Sequence, residues 1–194
     1  MSHVYVSCAV CIVGEVGVSG VTQLDNVLYV VCEKSSIIRK YTSDTLSPLH
    51  EYIHVTGMRD PRDIVVCRHD HQLYIAERDC IWRVSVDDHS YVKWMSSTDS
   101  TTDTFHVYTL SMTSRHLLVT SFHPPTVRQY NTTNKQLLCV VTLPWYVKDV
   151  WHAVETTHGT FVICHTDTSQ GERQHAVSEL LRFCHVSIVL IAIY

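Results

Sequence analysis

A chain of 194 residues that is 45% hydrophobic and only 18% charged has enough apolar side chain to build a folded core, which excludes disorder. Its formal net charge of -4 and pI near 6.4 give no electrostatic reason to expect nucleic acid or an anionic membrane as a partner. The longest apolar run, Val186 to Tyr194, is far short of the ~20 residues that a membrane-crossing helix needs.

In chain order, Val4 to Val13 comes first. It is apolar and β-branched with no Lys or Arg ahead of it, so it reads as an extra strand within residues 1–16 and not as a secretory signal. It holds Cys8-Ala-Val-Cys11, but a zinc site requires a second pair at matching spacing, and the sequence has none. Four short apolar runs follow: Val27 to Val31, Leu73 to Ala76, Leu117 to Thr120 and Phe161 to Cys164. Aligned on Tyr29, Tyr74, Val119 and Val162, they recur at intervals of about 45 residues.

The flanking segments keep the same phase. A strand-like stretch precedes each run: Val18 to Leu24, Asp63 to Cys67, Val107 to Met112 and Trp151 to Thr156. A polar turn separates the two. A third segment follows each of the first three runs: Ile37 to Tyr41, Cys80 to Val84 and Thr126 to Tyr130, with a fourth-blade counterpart at Arg173 to Leu180. Leu49 to Val55, Tyr91 to Met95 and Leu137 to Leu143 then close the repeats. Four short strands per repeat, the second apolar nearly throughout, predict an all-β fold: a β-propeller of about four four-stranded antiparallel blades. The blades fall near 17–55, 60–96, 105–143 and 150–182 within one domain spanning 1–194, and 183–194 is an apolar C-terminal strand or tail. In a closed ring either this tail or Val4 to Val13 completes the fourth blade, whereas in an open arc Val4 to Val13 pairs beside the first blade instead. The expected form is an open arc, or a fragment of a larger propeller, in preference to a closed four-bladed ring. Uncovered blade faces at its ends predict self-association.

Leu73-Tyr74-Ile75-Ala76, followed by Cys80-Ile81-Trp82-Arg83-Val84 and preceded by Asp60-Pro61-Arg62-Asp63, resembles the NHL and related six-bladed propeller repeats, such as those at the C-termini of tripartite-motif proteins. The family's usual Asp after the second strand is replaced by Glu33, Glu77, Ser121 and His165, and the Trp-Asp dipeptide of WD repeats is absent.

In such a fold, the loops entering the first strand and those joining strands two and three share one face. They carry Arg59, Asp60, Arg62, Glu77, Arg78, Asp79, His123, His165 and Asp167, a set of charged and His residues that suits a binding face. The first strands begin at the equivalent positions Ser19, Asp63, Thr109 and His152; of these, Asp63 and His152 are the two candidate metal ligands. His69-Asp70-His71 sits in a turn as solvated polar residues. No nucleophile elbow, phosphate loop or metalloprotease motif occurs, so no catalytic residue and no cofactor is assigned. Eight cysteines, five of them in apolar strand-like stretches, read as reduced core thiols and point to the cytoplasm. The function expected is a non-catalytic protein–protein interaction scaffold with an unspecified protein partner. The alternative is a channel-centred, metal-dependent hydrolase or lactonase, an activity some six-bladed propellers have.

Overall fold

The computed structural model describes residues 17–96, 106–113, 115–122, 124–144, 147–156, 159–167, 174–180 and 190–193. They form sixteen strands in four antiparallel sheets and no helix. Blade one contains β1 (Val18–Leu24), β2 (Val27–Cys32), β3 (Ile37–Thr42) and β4 (Pro48–His54). Blade two contains β5 (Asp63–Cys67), β6 (Gln72–Glu77), β7 (Cys80–Ser85) and β8 (Tyr91–Ser96). Blade three contains β9 (Val107–Met112), β10 (His116–Phe122), β11 (Pro125–Asn131) and β12 (Leu137–Thr142). Blade four contains β13 (Val147–Glu155), β14 (Phe161–Asp167), β15 (Gln174–Leu180) and β16 (Leu190–Ile193). Each sheet is a meander in sequence order. The C-terminal candidate therefore supplies the fourth strand of blade four; Val4 to Val13 lies outside the described residues.

The turns explain why the meander forms. In each of the outer hairpins of blades one to three, one residue takes the left-handed conformation: Leu46 (φ 54), His89 (φ 58) and Lys135 (φ 60). Just ahead of each, an Asp or Asn side chain accepts a backbone N–H within the turn: Asp44 from Thr45, Asp88 from Ser90 and Asn134 from Gln136. These side chains hold the chain in the bend and reverse it.

The core lies between blades and not within them. Tyr29 and Val31 of blade one meet Leu73 and Ile75 of blade two around Ile38, Ile53 and Trp82. Tyr74 and Ala76 meet Leu117 and Val119 of blade three. Trp94, fully buried, stands edge-on to Tyr74 and Tyr130 at 5.3 and 6.0 Å between ring centres. Leu118 meets Phe161 and Ile163 of blade four. Because successive side chains of a strand point to opposite faces, β6 and β10 each serve two interfaces, which is why they are apolar nearly throughout.

This packing corrects the repeat register. The residue of β10 that faces the following blade, as Tyr29 and Tyr74 do, is Leu118; Val119 faces back onto blade two. The ladder corrects the first strands too. Gly20, not Ser19, lies opposite Val31, as Asp63 lies opposite Ala76 and His152 opposite Cys164. A side chain at Gly20 would meet the backbone N of Ile64 at 2.8 Å and Cα of Asp63 at 3.0 Å, so blades one and two touch there main chain to main chain. β1–β2 and β9–β10 also contain bulges, which spacing alone does not show.

β1 packs on β5, β5 on β9 and β9 on β13, so the four first strands line an axis. The four blades form an open arc around it.

Candidate functional site

At the end of the axis where the first strands begin, all four blades contribute to one cavity of about 730 Å³. Ser19, Glu33 and Lys34 come from blade one, Asp60 to Asp63 from blade two, Tyr108 and Thr109 from blade three, and Trp151 and His152 from blade four.

The approach to β5 is held in place from both sides. Ser19 Oγ donates to the Pro61 carbonyl at 2.6 Å, Arg62 N–H to the Ala76 carbonyl at 2.8 Å, and Lys34 N–H to Asp60 Oδ1 at 3.3 Å. Glu77 fixes the same segment from below. Its Oε1 accepts the N–H groups of Arg59 and Asp60, while Oε2 accepts Trp82 Nε1–H at 2.6 Å and the Cys80 thiol at 3.3 Å. Burial pushes the Glu77 carboxyl up, but the hydrogen bonds from Trp82, Asp60, Arg59 and Cys80 outweigh it, and its pKa is lowered overall. Cys80 responds in the opposite sense: burial and the Glu77 carboxylate push its thiol up to about 12.

Asp63 turns its carboxylate onto the main chain, where Oδ1 accepts the Ile64 N–H and Oδ2 the Leu110 N–H of blade three, both at 2.8 Å. Burial pushes its pKa up to about 6 against those two hydrogen bonds. Thr109 is bound to Thr120 at 2.6 Å between hydroxyl oxygens. Burial lowers the pKa of His152, which favours the neutral ring at neutral pH. Among the described residues, no three His, Cys, Asp or Glu side chains converge as a metal ion requires. Asp63 and His152 line the same cavity, but both carboxylate oxygens of Asp63 are engaged by backbone donors.

The opposite side of the cavity is aromatic. Tyr108 and Phe122 lie with ring centres 3.9 Å apart and planes tilted by 32°, and Trp151 stands edge-on to both at 5.8 Å. Trp151 donates its indole N–H to Thr166 Oγ1 at 3.1 Å and remains exposed, which leaves a fixed apolar surface beside Lys34, Arg62, Glu33 and Asp60.

The residues expected at a binding face separate into groups. Asp60 and Arg62 line the cavity, with Arg59 exposed beside them. Glu77 is a strut beneath that segment. Arg78 and Asp79 lie outside the cavity, where Asp79 pairs with His106 at 3.1 Å and the Arg78 carbonyl accepts the Val107 N–H, tethering the start of β9. His165 is not on a loop: it is buried within β14, on the same side of the strand as Phe161 and Ile163, because β14 runs on past its apolar stretch to Asp167. Asp167 is the last residue of that strand, paired with Val147 and Gln174. His123 lies outside the described residues. The turn residues His69 and His71 stitch neighbouring segments, His69 accepting from Arg115 of blade three at 2.6 Å and His71 meeting Asp87 at 3.2 Å.

Sequence reasoning missed Tyr108 and Trp151. Each immediately precedes a first-strand position already aligned, Thr109 or His152, just as Arg62 precedes Asp63. Reading one residue earlier in the same phase would have found the aromatic side of the site.

No family model matches this chain and no curated protein matches it, so membership in the NHL family is not shown. Many solved structures do match it. A chain of Kuenenia stuttgartiensis hydrazine synthase superposes with a TM-score of 0.70 at 10% identity, over 89% of this chain and 53% of that one. The β-propeller domain of Myceliophteria thermophila Cps50 (Swd1) gives 0.61 at 10% identity, over 90% and 58%. A chain of a nidogen/laminin complex gives 0.62 at 14% identity, over 84% and 60%. This chain therefore spans roughly half to three-fifths of each chain it resembles. At such identities the likeness is one of architecture, and the architecture is a β-propeller.

Proposed function

We propose that the chain is a non-catalytic protein-interaction scaffold whose partner docks at the axial cavity. The observation that carries this reading is the pairing of a fixed aromatic surface with alternating charges. Tyr108, Phe122 and Trp151 supply rigid apolar area, while Lys34, Arg62, Glu33 and Asp60 supply orientation. Aromatic and Arg side chains dominate the energetics of protein interfaces because they bury much area at little conformational cost. The nidogen/laminin structure that the chain resembles is, by its name, an assembly of proteins, which favours the same class. The buried Cys80 thiol, donated to the Glu77 carboxylate and not spent in a disulfide, supports a reducing compartment, and we place the scaffold in the cytoplasm. Neither nucleic acid nor a membrane is assigned as a partner.

Affinity purification from native cells, comparing the wild type with Trp151→Ala and Arg62→Glu, tests the reading. A stoichiometric partner retained by the wild type and lost from both folded variants is the expected result. A partner that both variants retain would move the binding surface elsewhere. Turnover of an ester or lactone by the purified protein, abolished by Asp63→Asn, would replace the scaffold with a hydrolase.

A further inference from the structure

The second and third strands of blades one to three repeat one cross-strand pair. Tyr29 stands opposite Lys40, Tyr74 opposite Arg83 and Leu118 opposite Gln129. In each pair the first residue faces the following blade, so its polar partner on the same side of the sheet does too. Two of the three polar side chains are met by that blade. Lys40 donates to Nε2 of His89, from the β7–β8 hairpin of blade two, at 3.0 Å and is 8% exposed. Gln129 donates to Oε2 of Glu155, from β13 of blade four, at 2.7 Å and is 1% exposed. Arg83 differs. It contacts the Tyr74 hydroxyl of its own blade, and among the described residues no carboxylate comes within ion-pair distance of it. The left-handed hairpin position that is His89 in blade two is Lys135 in blade three, and an ammonium group accepts no hydrogen bond.

Arg83 is half-buried on the wall of a cavity of about 420 Å³ between blades two and three, to which blade three contributes Thr132 and Thr133. A guanidinium presents a planar fork of N–H donors that matches a carboxylate. Charge narrows the ligand further. Of the residues lining the cavity, Arg83 is the one cation, while Asp70 and Asp88 are carboxylates. Asp70 accepts from His69 at 2.6 Å, and Asp88 accepts the N–H and the hydroxyl of Ser90 at 3.0 and 2.8 Å. The hydrogen bond from His69 lowers the pKa of Asp70, and those from Ser85 and Ser90 bring Asp88 down to about 2, so both stay ionised. A simple anion paired with Arg83 would sit among two negative charges. A molecule with an ammonium group next to its carboxylate satisfies the guanidinium and both aspartates together.

We propose that the cavity between blades two and three binds a free α-amino acid, with its carboxylate on Arg83 and its ammonium group toward Asp70 and Asp88. The site shares no lining residue with the axial cavity, so it is independent of the protein partner assigned there.

Titration calorimetry and thermal unfolding of the full chain, against a panel of the common α-amino acids, test this. At least one member should give a saturable heat and raise the unfolding temperature with the logarithm of its concentration. Its N-acetyl derivative, which lacks the ammonium group, and its carboxamide, which lacks the carboxylate, should do neither. Arg83→Gln should lose both responses to the free amino acid. If Arg83→Gln does not fold, Thr133→Trp, which fills the cavity from an exposed turn, takes its place with the same expected loss. No saturable heat from any member overturns the proposal. So does a response that survives in the folded variant, or one that acetylation or amidation leaves unchanged.

Discussion

Removing the carboxylate of Glu77 isolates the device that shapes the cavity rim. In Glu77→Ala, the Trp82 indole N–H, donated at 2.6 Å from a buried ring, loses its acceptor, and so do the N–H groups of Arg59 and Asp60. A hydrogen bond to a charged group contributes about 1.5–3 kcal/mol, and the two loop amides can rehydrate, so the cost is about 3 kcal/mol. Glu77→Gln keeps an acceptor for the loop but turns an NH₂ toward either the indole or the amides, which costs about 2 kcal/mol. For a chain of this size each kcal/mol lowers Tm by about 2–4 °C, so Glu77→Ala should melt about 6–12 °C lower. The effect depends on pH with a definite sign. The folded pKa of Glu77 lies below its ordinary 4.5, so its stabilisation is fully present above that pH and is lost as the pH falls through the lower folded value. Thermal unfolding followed by tryptophan fluorescence should therefore show the gap between wild type and Glu77→Gln shrinking in acid. Equal melting temperatures at neutral pH, or a gap that widens in acid, would refute the assignment of Glu77 as a strut.

Three further outcomes follow from other positions. Gly20→Ala drives a methyl into the backbone at Asp63 and Ile64, and overpacking of that kind should destabilise by about 1–3 kcal/mol, read from chemical denaturation. Leu46 is exposed and left-handed at φ 54, a conformation that costs a branched side chain about 1–2 kcal/mol and Asn much less, so Leu46→Asn should raise Tm. Asp63 should titrate near pH 6 by carboxyl-resolved NMR. Because its folded pKa lies above the ordinary 3.8, its contribution favours folding below that pH and is lost as the pH rises through about 6; a measured value near 4 would show that the carboxylate is hydrated.

The blade repeat was legible because burial on both faces of each second strand leaves a record in composition. Leu73-Tyr74-Ile75-Ala76 is apolar on both sides since Leu73 and Ile75 serve one interface and Tyr74 and Ala76 the next. Hairpins were legible for a related reason: bends such as Asp87-Asp88-His89 require side chains that bond to their own backbone. The binding rim was legible only in part. Asp60 and Arg62 were found because a propeller's connecting loops fall on one face, yet Glu77, from the same set, proved to be a strut, since a carboxylate within reach of an indole and two loop amides is held by them rather than presented to a ligand.

The sequence by itself determined the class of fold, the period of the repeat and the strands of the first three blades, all properties of a chain reading its near neighbours. Tertiary structure decided the rest. It moved the blade-three equivalent from Val119 to Leu118, because only the neighbouring blade defines which way a residue faces. It filled the last strand with Leu190–Ile193, because pairing to β15 is a contact between segments. It also gathered Trp151, Tyr108, Arg62 and Lys34 around one cavity, because residues more than a hundred positions apart meet only where four blades share an axis.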